Sequence, residues 1–367
     1  MRLIAMTGLC LLGLTACSAA DDKNGSALAQ ATGKEQEKKP EVKVLKVGDP
    51  APLIQGAKYL TGSEITSYAA GKVYVVEFWA TWCGPCIQAM PHLASLQREY
   101  KDKGLVIVGV TTKDPNNTAE KVAEFVEKKG KKLGYSFAYC ETEATSDAFM
   151  KAAGQDGIPC SFVVDKAGKI AYIGHPMELD DVLDKVVAGT WRGQADLDEI
   201  SKANDEFNAI MATGQKDPAG TLKKLDEYGV KYPSRAKQEI FKVRKLVLMM
   251  MSKQFDEAKK VSETMLKAAQ TNGDVSSLVN IAAIWSADQL NPEKKEIALA
   301  ISAVESFIKI EGDKDLSAVV TAAEIYFACG KKDLAVEYGN KALAMAENPQ
   351  QKAAFEDMLK KFKGDKK

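Results

Sequence analysis

Val73-Tyr74-Val75-Val76-Glu77-Phe78-Trp79-Ala80-Thr81-Trp82-Cys83-Gly84-Pro85-Cys86 is the stretch on which the reading of this chain turns. Its first eight residues are β-branched or aromatic apart from one carboxylate and one alanine, the composition of a buried strand, and the run ends where Gly84 and Pro85 open a helix. Proline suits a first helical turn because it gives up no needed donor there. Two cysteines three apart at a helix start place the first thiol at the exposed end, where unpaired backbone N–H groups and the positive end of the helix dipole stabilise a thiolate. Cys83 is therefore the expected nucleophile. Cys86, one turn in and more buried, is the expected resolving thiol, attacking Cys83 within a mixed disulfide. Half of a zinc knuckle would use the same spacing, but no second CxxC or CxxH follows and the only histidines are His92 and His175, so no metal is expected. Glu77 sits in the middle of an apolar strand, where burial would raise its pKa toward the working pH. Trp79 and Trp82 read as packing aromatics, and Trp82, next to Cys83, also as part of a docking surface.

Working outward, a second apolar run, Leu105-Val106-Ile107-Val108-Gly109-Val110, follows a helical stretch from Cys86 to about Tyr100 and completes a βαβ unit with the cysteines at the strand-to-helix junction. Ser161–Asp165 and Lys169–Gly174, joined by the turn Lys166-Ala167-Gly168, predict a hairpin, and a closing helix is predicted at about Glu178–Ala188. The turn-rich Val47-Gly48-Asp49-Pro50-Ala51-Pro52 leads into this α/β unit.

Glu77 to Cys86, with Pro91 five residues later, resembles the thioredoxin active site and its kinked helix, and Gly157-Ile158-Pro159 resembles that family's cis-proline loop, immediately before the penultimate strand. The extended opening and the added segment between Thr111 and Gly157 make residues 47 to 190 more similar to the TlpA/ResA-like membrane-tethered thioredoxins than to the minimal form. The resemblance implies a thioredoxin fold and a thiol–disulfide oxidoreductase that needs no cofactor. It also implies that Ile158 and Pro159 lie against Cys83 and offer backbone to a substrate strand, and that Glu77 sits beneath Cys86 as a proton acceptor. Relatives of this kind reduce apoproteins, for example before haem attachment, which implies protein thiols and disulfides as substrates and a membrane electron-donor protein. Direction itself depends on a reduction potential. Cys160 departs from the family pattern, which has a small polar residue there. Setting aside Cys10, Cys17, Cys83 and Cys86 leaves Cys140, Cys160 and Cys329, an odd number. Each reads as a small buried hydrophobe; a Cys140–Cys160 bridge is the alternative, since both flank the added segment.

The chain of 367 residues begins with one Arg and about a dozen apolar residues, too short to span a bilayer comfortably, and residues 1 to 16 read as a signal peptide. Leu14-Thr15-Ala16-Cys17 resembles a bacterial lipobox, with Cys17 as the lipidated residue. Ser18 resembles the outer-membrane sorting pattern. Residues 17 to 46 are then a polar tether whose span is on the order of 30 Å, and the expected location is the periplasmic side of a bacterial membrane.

From Trp191 to residue 367 the composition turns to Ala, Lys, Glu and Leu at helical spacing, so this half is expected to be all-α, either a helical-repeat array or a bundle. Ala323, Tyr326, Gly330, Ala335, Ala342 and Pro349 resemble a tetratricopeptide repeat, with weaker echoes around Leu246, Lys253, Ala258 and Met265 and from Ala282 to Ala303. Leu246–Met251 reads as a buried helix. Fifty basic against fifty acidic residues give net charge zero, which disfavours a nucleic-acid partner, and 46% hydrophobic content without a second long apolar run excludes a multi-span membrane protein. Two other functions compete: a scaffold whose helical half is the main activity, and a thiol peroxidase. The second is suggested by Val47–Pro52, which also resembles peroxiredoxins, but Ala80 stands where those place Thr.

Overall fold

The computed structural model describes residues 44–293 and 295–364. The signal peptide at 1–16, Cys17 and nearly all of the tether expected at 17–46 lie outside the described residues. Six strands, β1 (Ala57–Thr61), β2 (Val73–Phe78), β3 (Leu105–Thr112), β4 (Ser136–Cys140), β5 (Cys160–Val164) and β6 (Ile170–Gly174), form one mixed sheet in the order β1-β4-β3-β2-β5-β6. β2 pairs in parallel with β3, and β3 with β4; β5 is antiparallel to β2 and β6 to β5. This is a thioredoxin-like sheet, and the four strands read from sequence fall within two residues of their expected bounds. The added segment supplies β4, and the opening segment supplies β1, which pairs with β4 at the sheet edge.

Every residue of β2 is buried, because helices or loops cover both faces. Strand alternation sends Val73 and Val75 into the core beneath helix α1 (Gly84–Tyr100), together with Met90 and Leu93 of that helix, while Tyr74, Val76 and Phe78 enter a second core on the opposite face with Phe149 and Phe162. A short helix α2 (Ala119–Phe125), capped by the Thr118 side chain, follows β3. Helix α3 (Leu179–Ala188) lies on the α1 side and adds Leu179, Val182, Leu183 and Val186 to that core. The opening segment is tied to the sheet by Leu45 N–H to the Ala152 carbonyl and Gly48 N–H to that of Ile170, each 2.7 Å.

From Gln194 onward the described chain is helical: Gln194–Met211, Pro218–Lys231, Glu239–Met251, Phe255–Asn272, Val275–Ser286, Ile297–Glu311, Leu316–Ala328, Lys332–Ala344 and Pro349–Lys363 are its longer helices. Asp217, Asp274, Asp315 and Asn348 cap four of them with their side chains. The apolar run Leu246–Met250 is buried, in a core shared with Tyr228 and Trp285. Ala323 and Tyr326 are buried on one helix and Ala335 and Ala342 on the next, with Gly330 at φ +71° making the turn between them. Small residues let these helices approach closely.

This helical half packs on the α1–α3 side of the sheet. Trp191, Leu197 and Ile200 lie against the core beneath α1. Arg235 Nη2 meets Asp181 Oδ2 of α3 at 2.6 Å, with the two side chains only 9% and 15% exposed, and the Gln238 amide donates to Asp181 Oδ1 at 3.0 Å. His92 of α1 pairs with Asp180 at 3.0 Å. Lys129 pairs with Asp315 at 3.2 Å, and Lys132 donates to the Glu311 carbonyl at 2.7 Å.

Candidate functional site

Cys83 is the N-cap of α1: its sulfur accepts the N–H of Cys86 at 3.2 Å, Pro85 occupies the first turn, and no acidic residue lies there to oppose a thiolate. Cys83 and Cys86 form a disulfide. The sequence predicts an exposed first sulfur and a more buried second one. Cys86 is fully buried, but Cys83 is itself only 4% exposed. The covering comes from the loop before β5: the Ile158–Pro159 peptide is cis, and the Ile158 carbonyl oxygen lies 3.8 Å from Cys83 Sγ.

Trp82 is 56% exposed, and its indole N–H donates to Asp114 Oδ2 at 2.9 Å, which fixes the ring at the rim. Asn117 holds the rest of the loop. Fully buried, it accepts both the N–H and the hydroxyl of Thr81 on Oδ1, each at 2.9 Å, and donates from Nδ2 to Thr111 Oγ1 at 2.7 Å and to the Thr112 carbonyl at 2.8 Å. Thr111 in turn donates to the Trp79 carbonyl at 2.6 Å. Sequence reasoning missed Asp114 and Asn117. The turn-forming run Asp114-Pro115-Asn116-Asn117 marks a loop before α2, but nothing in its spacing links it to Cys83.

Glu77 is completely buried, with both carboxylate oxygens lacking a protein hydrogen bond, and desolvation pushes its pKa up to about 8. Alternation along β2 puts it on the face of Val73 and Val75, the face that α1 covers with Cys83 and Cys86. The structure therefore places the Ile158–Pro159 loop and Trp82 beside Cys83, and Glu77 on the sheet face that α1 covers with both cysteines.

The remaining cysteines stand apart. Cys140 ends β4 and Cys160 begins β5, with β3 and β2 between those strands, so the alternative Cys140–Cys160 bridge is not formed. Cys140, Cys160 and Cys329 are buried and outside any disulfide, the small-hydrophobe reading of each; burial pushes Cys160 up to about 11 and also raises Cys140. Among the described residues no group of three or more His, Cys, Asp or Glu is placed to hold a metal, and no helix is long and apolar enough to cross a membrane.

Comparison with known proteins agrees with this geometry. The Redoxin family model matches residues 46–187, stopping short of the helical half. Protein FixW of Rhizobium leguminosarum is 32% identical over 152 residues, 40% of this chain and 69% of FixW. The chain belongs to the TlpA/ResA-like thioredoxin-fold family of thiol–disulfide oxidoreductases. Thiol-disulfide oxidoreductase ResA of Geobacillus thermodenitrificans is 32% identical over 109 residues, and this TlpA/ResA-like chain spans 57% of that protein's length with 30% of its own. A solved thiol:disulfide interchange protein of the thioredoxin family from Chlorobium tepidum is 25% identical, covering 38% of this chain and 96% of its own, at a TM-score of 0.32.

Proposed function

We propose that this protein reduces disulfides in client proteins on the extracytoplasmic side of a membrane, anchored there through lipid on Cys17. The observation that carries the redox reading is the Cys83 sulfur at the N-cap of α1, 3.8 Å from the Ile158 carbonyl at the cis-proline. In the reduced protein, the Cys83 thiolate attacks a client disulfide, one client sulfur leaves with the electron pair of the broken S–S bond, and a mixed disulfide forms. Cys86 then gives its proton to the Glu77 carboxylate and attacks Cys83. The Cys83–Cys86 bond forms, the Cys83–client bond breaks, and the second client sulfur departs as a thiolate that takes a proton from water. The client is reduced and the protein oxidised, and a membrane electron-donor protein returns it to the dithiol.

Trp82 and the Ile158 backbone supply the contact surface for the client strand, and the helical half supplies a second docking surface for partners. Removing Cys86 alone stalls exchange at the mixed disulfide. Cys86→Ser expressed in the native host should therefore accumulate covalent complexes on non-reducing gels that are absent from the Cys83→Ser, Cys86→Ser double variant. Identical bands from the two would remove Cys83 from the attacking role. The anchor is tested by intact mass: the expected mature chain starts at an acylated Cys17, and an unmodified N-terminus at any later residue rejects it.

A further inference from the structure

Among the described residues, the buried polar atoms on the α1 side of the sheet without a hydrogen-bond partner include both carboxylate oxygens of Glu77, Nε1 of Trp79, the Tyr135 and Tyr139 hydroxyls and Ser161 Oγ. Their placement follows from the strand register. Ser161 of β5 is directly opposite Glu77 of β2, so the two side chains leave the same face with Cβ atoms about 5 Å apart. Val163, two residues on, belongs to the core beneath α1, which confirms the face. On the other flank Glu77 is opposite Gly109 of β3, and a Cβ built there would stand 3.1 Å from Trp79 Nε1. Gly109 thus lets the indole N–H settle against the sheet beside the carboxylate.

Ser161 is the one residue of β5 with a hydroxyl; Cys160, Phe162, Val163 and Val164 are apolar neighbours in the strand. A buried hydroxyl left unpaired is costly, and native proteins satisfy such groups through the protein or through an ordered water. One hydroxyl and one indole N–H flanking a carboxylate are two donors and an acceptor, the polar lining a buried water requires.

We propose that Ser161 is a positioning residue for the proton transfer: its hydroxyl, together with the Trp79 N–H, holds a buried water on the Glu77 carboxylate and so sets the pH at which Cys86 gives up its proton. The proposal rests on the reading of Glu77 as the acceptor. The titratable groups on this side of Glu77 are Cys83 and Cys86 of α1, Tyr135 from the segment before β4, Cys160 of β5 next to Ser161, and Tyr172 of β6, whose hydroxyl lies where a Cβ of Gly174 would stand and donates to the Glu178 carboxylate at 2.6 Å; β3 presents Gly109 there. Burial pushes Cys160 up to about 11 and Tyr135 well above the ordinary phenol range, so neither competes with Glu77 near neutral pH.

The test is the pH profile of disulfide reduction, measured on the full chain with an insulin disulfide between pH 6 and 9.5. The wild-type rate should rise as Glu77 ionises. Loss of a donor that favours the carboxylate should move the midpoint of that rise upward by about one pH unit in Ser161→Ala, a roughly tenfold loss of rate at pH 7. Ser161→Thr should restore the midpoint. Trp79→Phe, which removes the second donor and keeps an aromatic ring, should move it in the same direction and covers the case of an alanine variant that does not fold. A midpoint unmoved in Ser161→Ala, or a fall in rate at every pH around the same midpoint, overturns the proposal. Glu77→Gln separates the two readings: if the rise disappears, the acceptor assignment stands whatever Ser161 does, and if the rise persists, that assignment fails first.

Discussion

Replacing Glu77 by Gln should stabilise the protein at alkaline pH and leave it nearly unchanged in acid. The carboxyl is fully buried without a hydrogen-bond partner, and burial pushes it from 4.5 up to about 8. Between those values the folded protein holds a proton that the unfolded chain has released, so folding binds a proton and stability falls as pH rises. The contribution is fully present below pH 4.5 and is lost as pH rises through 8. At about 1.4 kcal/mol per pH unit the whole window amounts to about 5 kcal/mol, of which about 4 kcal/mol falls between pH 5 and 8.5. Glutamine has no such proton. Urea unfolding of the oxidised full-length protein can be followed by tryptophan fluorescence, since Trp79, Trp82 and Trp191 report on the sheet half. The wild-type minus variant difference, taken at pH 5 and again at 8.5, cancels the titrations the two proteins share. Parallel stability curves for the two proteins would falsify a buried, proton-holding Glu77, and with it the physical basis of the proton transfer proposed for it.

Asn117→Ala removes four hydrogen bonds that join Thr81 to the end of β3 and leaves buried partners unpaired. A loss of about 2 kcal/mol or more is expected in denaturant unfolding, and, because the loop that aims Cys83 is freed, a fall of roughly tenfold in kcat/KM for insulin reduction; normal turnover would show that the loop needs no such bolt. Arg235→Ala strands Asp181 in the seam between the halves, at an expected cost of about 3 kcal/mol. Burial already raises Asp181 while Arg235 opposes that rise, so in the variant the carboxyl takes up a proton more readily and the penalty should be smaller at pH 5 than at pH 8. Thermal melts at the two pH values check the order, and an equal penalty at both counts against a buried Asp181.

What the sequence made legible was local. β2, the cysteine pair at the helix start and the Gly157-Ile158-Pro159 loop are each written in a handful of contiguous residues, and the burial of Glu77 follows from its place in an apolar strand. The rest depends on distances along the chain that no periodicity encodes. Ala57–Thr61 and Ser136–Cys140 are five-residue strands with mixed composition, recognisable only once they pair with each other and β4 with β3. Cys140 and Cys160 flank the same added segment, so sequence proximity suggested a bridge, but the crossover that makes the sheet mixed places two strands between theirs. Asn117 acts through a loop packed against Thr81, 36 residues earlier.

The way the two halves meet constrains how the site can move. α1 carries Cys83 at its N-terminus, and its middle is held between the sheet core and the helical half: His92 pairs with Asp180 and senses the carboxylates of Glu239 and Asp274. Burial lowers the His92 pKa and those carboxylates raise it, with the rise prevailing. Next to it the Arg235–Asp181 pair closes the seam. A helix fixed at this point cannot shift as a body when the disulfide opens to two thiols. The geometric change is left to the residues before the helix, Trp79 to Cys83, and those are the residues that the side chains of Asn117, Thr111 and Asp114 hold by hydrogen bonds. Trp82 and Met177, 56% and 52% exposed, remain uncovered by the helical half. Opening of the Cys83–Cys86 bond is therefore expected to be a local rearrangement beside the exposed Trp82, with the helical half fixing α1 from behind and the Ile158 loop, not the helices, covering the sulfur.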